Sequence, residues 1–480
     1  MGHDQTNSLI KLDDERSAVE TGRTRRIPDE NRNQDDLTAQ TPTSVPDTEE
    51  NPAPQDRQPP TRTFASLGNR NFRLFLAGLF VSGTGAWVQR IAQDWLVLTL
   101  TDSPAAVGLT TAFQFLPTLL FGLHAGVLAD RFNKRRILQA TQASMAVMAA
   151  LLAVLTLTGA VQTWHVYVFA AALGVVAAVD NPVRQSFVTE IVGVTHVRSA
   201  ISMVSSTFQF GAMLGPVLSG VLVGVVGPGW AFAINAVTYL GPLAALAMMR
   251  LPARAPKDGP SASTSGLRDG LRYALSHPRV LWPTVMVGTF GFFTVSLPVT
   301  LAAFAKNDFH SGAMGAGVLN GAAAAGALGG ALLTARRRSP LRLRTLMTAA
   351  ALLATAHVVA SFGSTQVALT VLIVLVGAAN LALITSAQSM VQLTVPEHLR
   401  GRVVAIYLLA FMGSGAIGGP VVGYIDEHLG ARFGLLLAGL VPALVTALVA
   451  RHLAHRASVR IGLTRTTVQF TRPALVARDR

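Results

Sequence analysis

The chain contains no cysteine. That excludes a disulfide framework, thiolate metal ligation and thiol nucleophile chemistry. Charge is also scarce. Only 13% of residues are Asp, Glu, Lys or Arg, against about 25% in soluble domains. Acids in particular become rare after residue 62. Residues 1–62 hold 13 of the 25 acids and 8 of the 39 bases, which leaves 12 acids and 31 bases for residues 63–480. The formal net charge of +14 therefore belongs to loops around apolar segments and is not a nucleic-acid footprint. No phosphate loop, metal-ligand cluster or nucleophile elbow is present, so no enzyme activity, cofactor or metal is indicated.

Half of the residues are hydrophobic, and from Phe72 onward they gather into twelve runs. Each is near the about 20 residues that span a bilayer as a helix. Such runs must be helical, because lipid offers no partner to an open backbone. The fourth and fifth runs cover 164–190 and 199–226, the seventh 280–304 and the eleventh 403–425. The expected fold class is an all-α integral membrane protein with twelve transmembrane helices in two six-helix repeats.

Lys and Arg set the orientation. The loops on one side carry 18 bases, whereas the other side has only Lys306 and Arg432. Both termini are therefore expected in the cytoplasm. Residues 1–67 form a polar N-tail, too poor in apolar surface to order, and no signal peptide is read there. The N-terminal six-helix half covers 68–252 and the C-terminal half 279–454. A Pro-, Gly- and Ser-containing cytoplasmic linker, 253–278, joins them, and a basic cytoplasmic tail covers 455–480. The halves repeat internally: Gly211-x-x-x-Gly215-Pro216 recurs as Gly415-x-x-x-Gly419-Pro420, and Gln185-Ser186 recurs as Gln388-Ser389.

Between the second and third runs lies Gly126-Val127-Leu128-Ala129-Asp130-Arg131-Phe132-Asn133-Lys134-Arg135. This loop resembles the signature between helices 2 and 3 of major facilitator superfamily transporters, with Asn133 where a small residue is usual. The resemblance implies a cytoplasmic gate built on Gly126, Asp130, Arg131, Lys134 and Arg135. The second-half counterpart keeps bases but lacks the acid. Gly211, Gly215, Pro216 and Gly220 suit close helix packing, and they also resemble the fifth-helix signature of exporters in that superfamily. Further strings narrow the branch: Asn71-Phe72-Arg73, Gly85-Ala86-Trp87-Val88-Gln89-Arg90, Asp94-Trp95, Leu100-Thr101-Asp102-Ser103-Pro104 and Asp180-Asn181-Pro182-Val183-Arg184-Gln185. Together they are similar to the enterobactin-exporter-like branch, also called the transmembrane secretion effector family, over roughly 64–453.

Intramembrane charge is the sharper signal, since a charge at the bilayer centre costs at least about 2.5–3.5 kcal/mol. Asp94, Asp180 and Glu190 are the acids read as lying within the runs. Arg90 with Asp94, and Arg184 with Asp180, are four residues apart on one helical face. Either pair serves as a self-neutralising structural bridge or as the proton-coupling group. Asp180 is slightly favoured as the proton carrier, since Pro182 beside it breaks the local helix ladder; Asp94 competes through its depth and Trp95. His124 and His357 are intramembrane histidines. The rings of Trp87, Trp95, Phe113, Phe115, Phe208, Phe210, Phe290, Phe292 and Phe293 either pack or line a cavity.

The function expected is a secondary active transporter: a proton-coupled exporter of a small amphipathic molecule, such as a drug-like compound, a siderophore or a secondary metabolite. Its rivals are an uptake symporter and a non-transporting sensor or scaffold. The expected setting is the bacterial plasma membrane. A monomer would work there with the lipid bilayer, a small-molecule substrate and protons as partners, and without nucleic acid. The N-tail composition predicts that deleting residues 2–60 leaves flux and thermal stability close to those of the full chain. A truncated chain that fails to fold would show that the tail is integral.

Overall fold

The computed structural model describes residues 65–249, 265–335 and 343–456 and two four-residue strands. It describes the backbone alone at 123–131, 194, 198, 265–267, 335, 397–398, 454–456 and the strands. Most of the N-tail, the first part of the linker and much of the C-tail lie outside these residues.

Twelve helices are long and apolar enough to cross a membrane. The first six spans are Arg70–Thr101, Pro104–Gly122, Lys134–Leu157, Thr163–Gly193, Thr195–Val226 and Pro228–Met248. The last six are Pro278–Asp308, Gly312–Thr334, Leu343–Ser361, Gln366–Thr394, Leu399–Leu429 and Ala431–Leu453. Large apolar side chains such as Val225, Val367 and Leu444 stand exposed on their outer faces. Lipid satisfies these faces, and helix pairing rests on close packing instead.

Local chemistry sets the ends. Asn69 accepts from the backbone N–H groups of Asn71 and Phe72 and so caps span 1, whose far end closes on left-handed Asp102. Ser103 caps span 2 and accepts from the Ala106 N–H, with Pro104 in the first turn, where its missing donor costs nothing. Spans 4 and 5 are two helices that meet at a kink at Gly193, whose φ of 70° and ψ of 171° suit glycine.

Span 7 is broken. One helix runs Pro278–Thr294, a half-helix follows at Leu297–Ala303, and a π turn ends it at Phe304–Asp308. Pro298 has no N–H to offer the Thr294 carbonyl, so the ladder lapses there. Hydropathy alone reads this segment as a single run.

Two further elements were not expected. The linker contains a helix, Ser265–Ser276, and a Cβ on its Gly270 would meet Arg402 Cβ of span 11 at 3.0 Å. The tail contains an antiparallel pair of strands, Ile461–Thr464 with Thr467–Phe470.

Glycines show how the helices pair. In the N-terminal half, Gly211 of span 5 faces Gly83 and Thr84 of span 1, and Gly174 of span 4 faces span 2 at Gln114. In the C-terminal half, Gly291 of span 7 faces Phe411 of span 11, and Gly326 of span 8 faces Val374 of span 10. Span 1 on span 5 thus corresponds to span 7 on span 11, and span 2 on span 4 to span 8 on span 10. The sequence repeat is therefore a repeat of packing.

The halves meet along two seams, span 2 with span 11 and span 5 with span 8. A Cβ on Gly317 would lie 2.6 Å from Gly220 Cα, and one on Gly419 would lie 2.5 Å from the Gly108 carbonyl oxygen. Both contacts fall toward the face opposite the arginine-rich loops. Two polar latches close the same face. Lys306 reaches the Leu98 carbonyl at 2.7 Å and Asp102 at 2.7 Å, at the C-terminus of span 1. Glu427 accepts from Ser103 Oγ and from the Ala105 N–H at 3.2 Å, at the N-terminus of span 2. Each charge sits at the helix end that its sign favours, worth about 0.3–1 kcal/mol.

The seam generates a prediction. Gly317→Leu puts side-chain atoms where span 5 backbone already lies, an overpacking cost of about 1–3 kcal/mol. Thermal unfolding in detergent should show a lower midpoint for this variant. Gly329→Leu on the same helix, where a Cβ meets nothing within 4 Å, should not.

Candidate functional site

Asp94 lies where both halves converge. Its side chain is 4% exposed. It shares a small cavity with Ile91 and Trp95 of span 1, Ser219 and Gly220 of span 5, Pro298 and Ala302 of the half-helix, and Ala316 and Asn320 of span 8. The free space is about 10 Å³, near the room of one water molecule. The cavity is therefore too small for a substrate molecule. Asp94 Oδ1 is buried without a hydrogen-bond partner. The other polar walls are engaged elsewhere. Ser219 Oγ donates to the Val88 carbonyl at 3.0 Å, and Asn320 Nδ2 donates to the Ala316 carbonyl at 2.9 Å. Apolar side chains from both halves pack around this point, including Val88, Ala92, Val223, Val299, Ala302 and Ala313.

Arg90 is one helical turn from Asp94, but the structure does not join them in an ion pair. The guanidinium lies 5.1 Å from the Trp87 ring centre and 4.9 Å from that of Phe115. Trp87 in turn meets Phe208 edge-on, with ring centres 5.7 Å apart. Rings of spans 1 and 2 thus hold the cation, a geometry worth about 0.5–2 kcal/mol, and Phe208 of span 5 backs Trp87.

Asp180 is arranged quite differently. It is fully buried and paired with Arg184. Its Oδ1 accepts from Thr141 Oγ1 at 2.6 Å and from Gln142 Nε2 at 3.0 Å. Every one of these partners belongs to span 3 or span 4. The carboxylate is a saturated staple between neighbouring helices of one half, whereas Asp94 faces both halves with an open acceptor.

The remaining sequence candidates divide as follows. Gly211 packs on Gly83 and Gly215 on Trp87 of span 1, while Gly220 and the Pro216 carbonyl face Gly317 across the seam. Lys134 pairs with Glu190, tying the start of span 3 to the end of span 4. Arg135 donates to the Ala247 carbonyl at 3.0 Å, at the C-terminus of span 6. Only the backbone is described at His124, Gly126, Asp130 and Arg131. His357 is fully buried, and its Nδ1 meets the Leu353 carbonyl at 2.9 Å in the core of the C-terminal half.

Sequence reasoning missed one buried acid. Asp426 is 3% exposed inside span 11, one residue past the end that hydropathy assigned to that run. Its neighbour Glu427 made the pair look like a loop. Among the described residues, no group of three or more His, Asp or Glu side chains is placed to hold a metal ion.

Comparison with known proteins agrees with this architecture. Residues 61–468 match the family model described as transmembrane secretion effector. The multidrug efflux pump Tap of Mycolicibacterium fortuitum is 26% identical over 78% of this chain and 94% of its own length. The enterobactin exporter EntS of Citrobacter koseri is 24% identical over 77% of this chain and 90% of its own. The staphyloferrin A transporter of Staphylococcus aureus is 27% identical over a shorter region, 35% of this chain and 42% of that protein. Among solved structures, a bacterial homologue of the human lysosomal transporter Spinster, in an inward-facing and unoccupied conformation, superposes with a TM-score of 0.66 at 17% identity. That match covers 80% of this chain and 97% of the other. The nucleoside transporter NupG also scores 0.66, at 13% identity over 80% of this chain and 99% of its own. These structures share the major facilitator fold.

The two acids should separate in a stability measurement. Asp180→Asn strands Arg184 and breaks a buried network, a loss of about 3–5 kcal/mol. Asp94→Asn removes an unpaired carboxylate and should stay within about 1 kcal/mol of the parent. Thermal unfolding of the two purified variants checks this order, and equal midpoints would contradict it.

Proposed function

Because this chain belongs to the transmembrane secretion effector family of major facilitator transporters, we propose that it exports a small amphipathic molecule in exchange for protons. It does so as a monomer in the bacterial plasma membrane, with both termini cytoplasmic. The arginine-rich loops support that orientation by the positive-inside rule, which makes the latched face the outer one. The observation that carries the coupling is Asp94: an unpaired buried carboxylate in a cavity lined by spans 1, 5, 7 and 8.

An intramembrane acid without a partner is costly unless it serves a purpose. Protonation removes that cost in a closed site, and exposure to water lowers it in an open one. Asp94 therefore biases the equilibrium between inward and outward states, as alternating access requires. Asp180, by contrast, acts as a structural staple. Substrate meets the rings of Trp87, Phe115 and Phe208 with Arg90 among them, which suits a molecule with an apolar or aromatic body and a polar or anionic group. Export is favoured over uptake by the fifth-span pattern and by two relatives aligned over most of their length, a multidrug efflux pump and a siderophore exporter. Gly126, Asp130 and Arg131 serve with Lys134 and Arg135 as the cytoplasmic gate. The linker 253–278 joins the two halves, and residues 2–60 of the N-tail are dispensable for flux.

Everted membrane vesicles test the reading. Imposing a proton gradient should drive accumulation of a hydrophobic dye or an amphipathic drug, and collapsing the gradient should stop it. Asp94→Asn should abolish accumulation against the gradient while binding of the same compound persists. Gradient-driven depletion would indicate uptake, and absence of any flux across a broad compound panel would indicate a scaffold.

A further inference from the structure

A second buried acid lies against the half-helix beside Asp94, from the other half. Asp426 of span 11 packs against Gly434 of span 12, where the absent side chain leaves room for its Oδ1. That oxygen is buried without a hydrogen-bond partner. Its Oδ2 is held by Thr300 Oγ1 at 2.7 Å. Thr300 lies on the half-helix Leu297–Ala303. Pro298 and Ala302, on another face of that helix, line the Asp94 cavity. One short, broken-off helix thus sits between two buried acids, one from each half.

No cation answers Asp426 among the described residues. Lys306, beyond the half-helix, is taken by Asp102 and the Leu98 carbonyl. Arg432 of span 12 is taken by Asp308 at 3.3 Å and the Gly363 carbonyl at 2.9 Å. On span 11 itself, Glu427 faces Ser103 and Ala105, and His428 Nδ1 meets the Tyr424 carbonyl. The half-helix has no titratable side chain, nor does span 2 over Pro104–Gly122; span 12 adds only Arg451 and His452 near its opposite end.

We propose that Asp426 is a proton-binding site of the outer gate, distinct from the carrier Asp94, and that Thr300 transmits its charge state to the half-helix. In the closed outer face an ionised Asp426 would be a buried charge without a counterion. The neutral acid carries no such cost, and its oxygen still accepts from Thr300 Oγ1 at the same contact. Opening the outer face admits water, which stabilises the carboxylate. A proton taken up from the outer medium onto a carboxylate oxygen then lets the half-helix reseat. The sign follows: low outer pH favours closure and high outer pH favours opening.

The inference rests on the transporter reading, but its test needs neither substrate nor flux. The cysteine-free chain accepts a single reporter, Ala313→Cys, in the wall of the Asp94 cavity. It is placed in an Asp94→Asn background so that Asp94 cannot contribute. Labelling by a membrane-impermeant maleimide from the outside of intact cells should rise several-fold as outer pH rises. Asp426→Asn should hold labelling low at every pH, and Asp426→Glu should restore the dependence. Thr300→Val removes the partner of the neutral acid, and should lower the labelling midpoint by about 1 pH unit. An unchanged pH profile in Asp426→Asn overturns the proposal. If that variant does not reach the membrane, an unshifted midpoint in Thr300→Val overturns it equally. Vesicles without proton-driven flux, alongside pH-dependent labelling through Asp426, would instead refute the exporter reading alone.

Discussion

Backbone contact between the two halves, at glycines, is the constraint on which the rest of this structure depends. In lipid there is no hydrophobic force to press one helix on another, so association rests on fit and on polar contacts. Gly220 against Gly317 and Gly108 against Gly419 let spans 5 and 8, and spans 2 and 11, approach at backbone distance. That approach brings spans 1 and 7 together behind them. It is also what removes Asp94 from water and shrinks the space around it to about 10 Å³. A side chain at either seam would separate the halves and hydrate the acid, so packing and charge are linked at one place.

The few acids in the spans meet different local conditions. Asp180 has an arginine, a threonine and a glutamine on it. Asp94 has an oxygen with no partner, and Asp426 has one partner oxygen and one bare. The cost of a buried charge is similar in each case, but the compensation is not. A saturated carboxylate rigidifies the helix pair that it joins. A carboxylate with open valence, facing a seam, changes its energy when the seam opens.

The latches on the face opposite the arginine-rich loops follow the same logic of charge. Lys306 and Glu427 each cross between halves, and each lands on a helix terminus, Lys306 on Asp102 and the Leu98 carbonyl and Glu427 on Ser103 and the Ala105 N–H. Near water these contacts are individually weak. A seal made of weak contacts over a glycine seam can open without a large barrier, which alternating access requires.

Hydropathy run length determined the number of spans, and base distribution distinguished the two faces, because both are local properties of composition that lipid enforces residue by residue. The duplicated Gly211 and Gly415 patterns disclosed the internal repeat, and the Gly126 to Arg135 loop disclosed the family. Four residues of spacing placed Asp94 beside Arg90 and Asp180 beside Arg184 equally well. Only the tertiary structure separated them, since Arg90 turns to rings on spans 1 and 2, while Arg184 finds its acid. The break in span 7 was marked by Pro298, but its consequence, a half-helix held between Asp94 and Asp426, arises from helices that meet across the seam. Asp426 escaped sequence reading because hydropathy fades at a helix end whether or not that end is buried. Burial of a side chain depends on what packs over it, and for Asp426 that is Thr300 and Gly434, 126 and eight residues away along the chain.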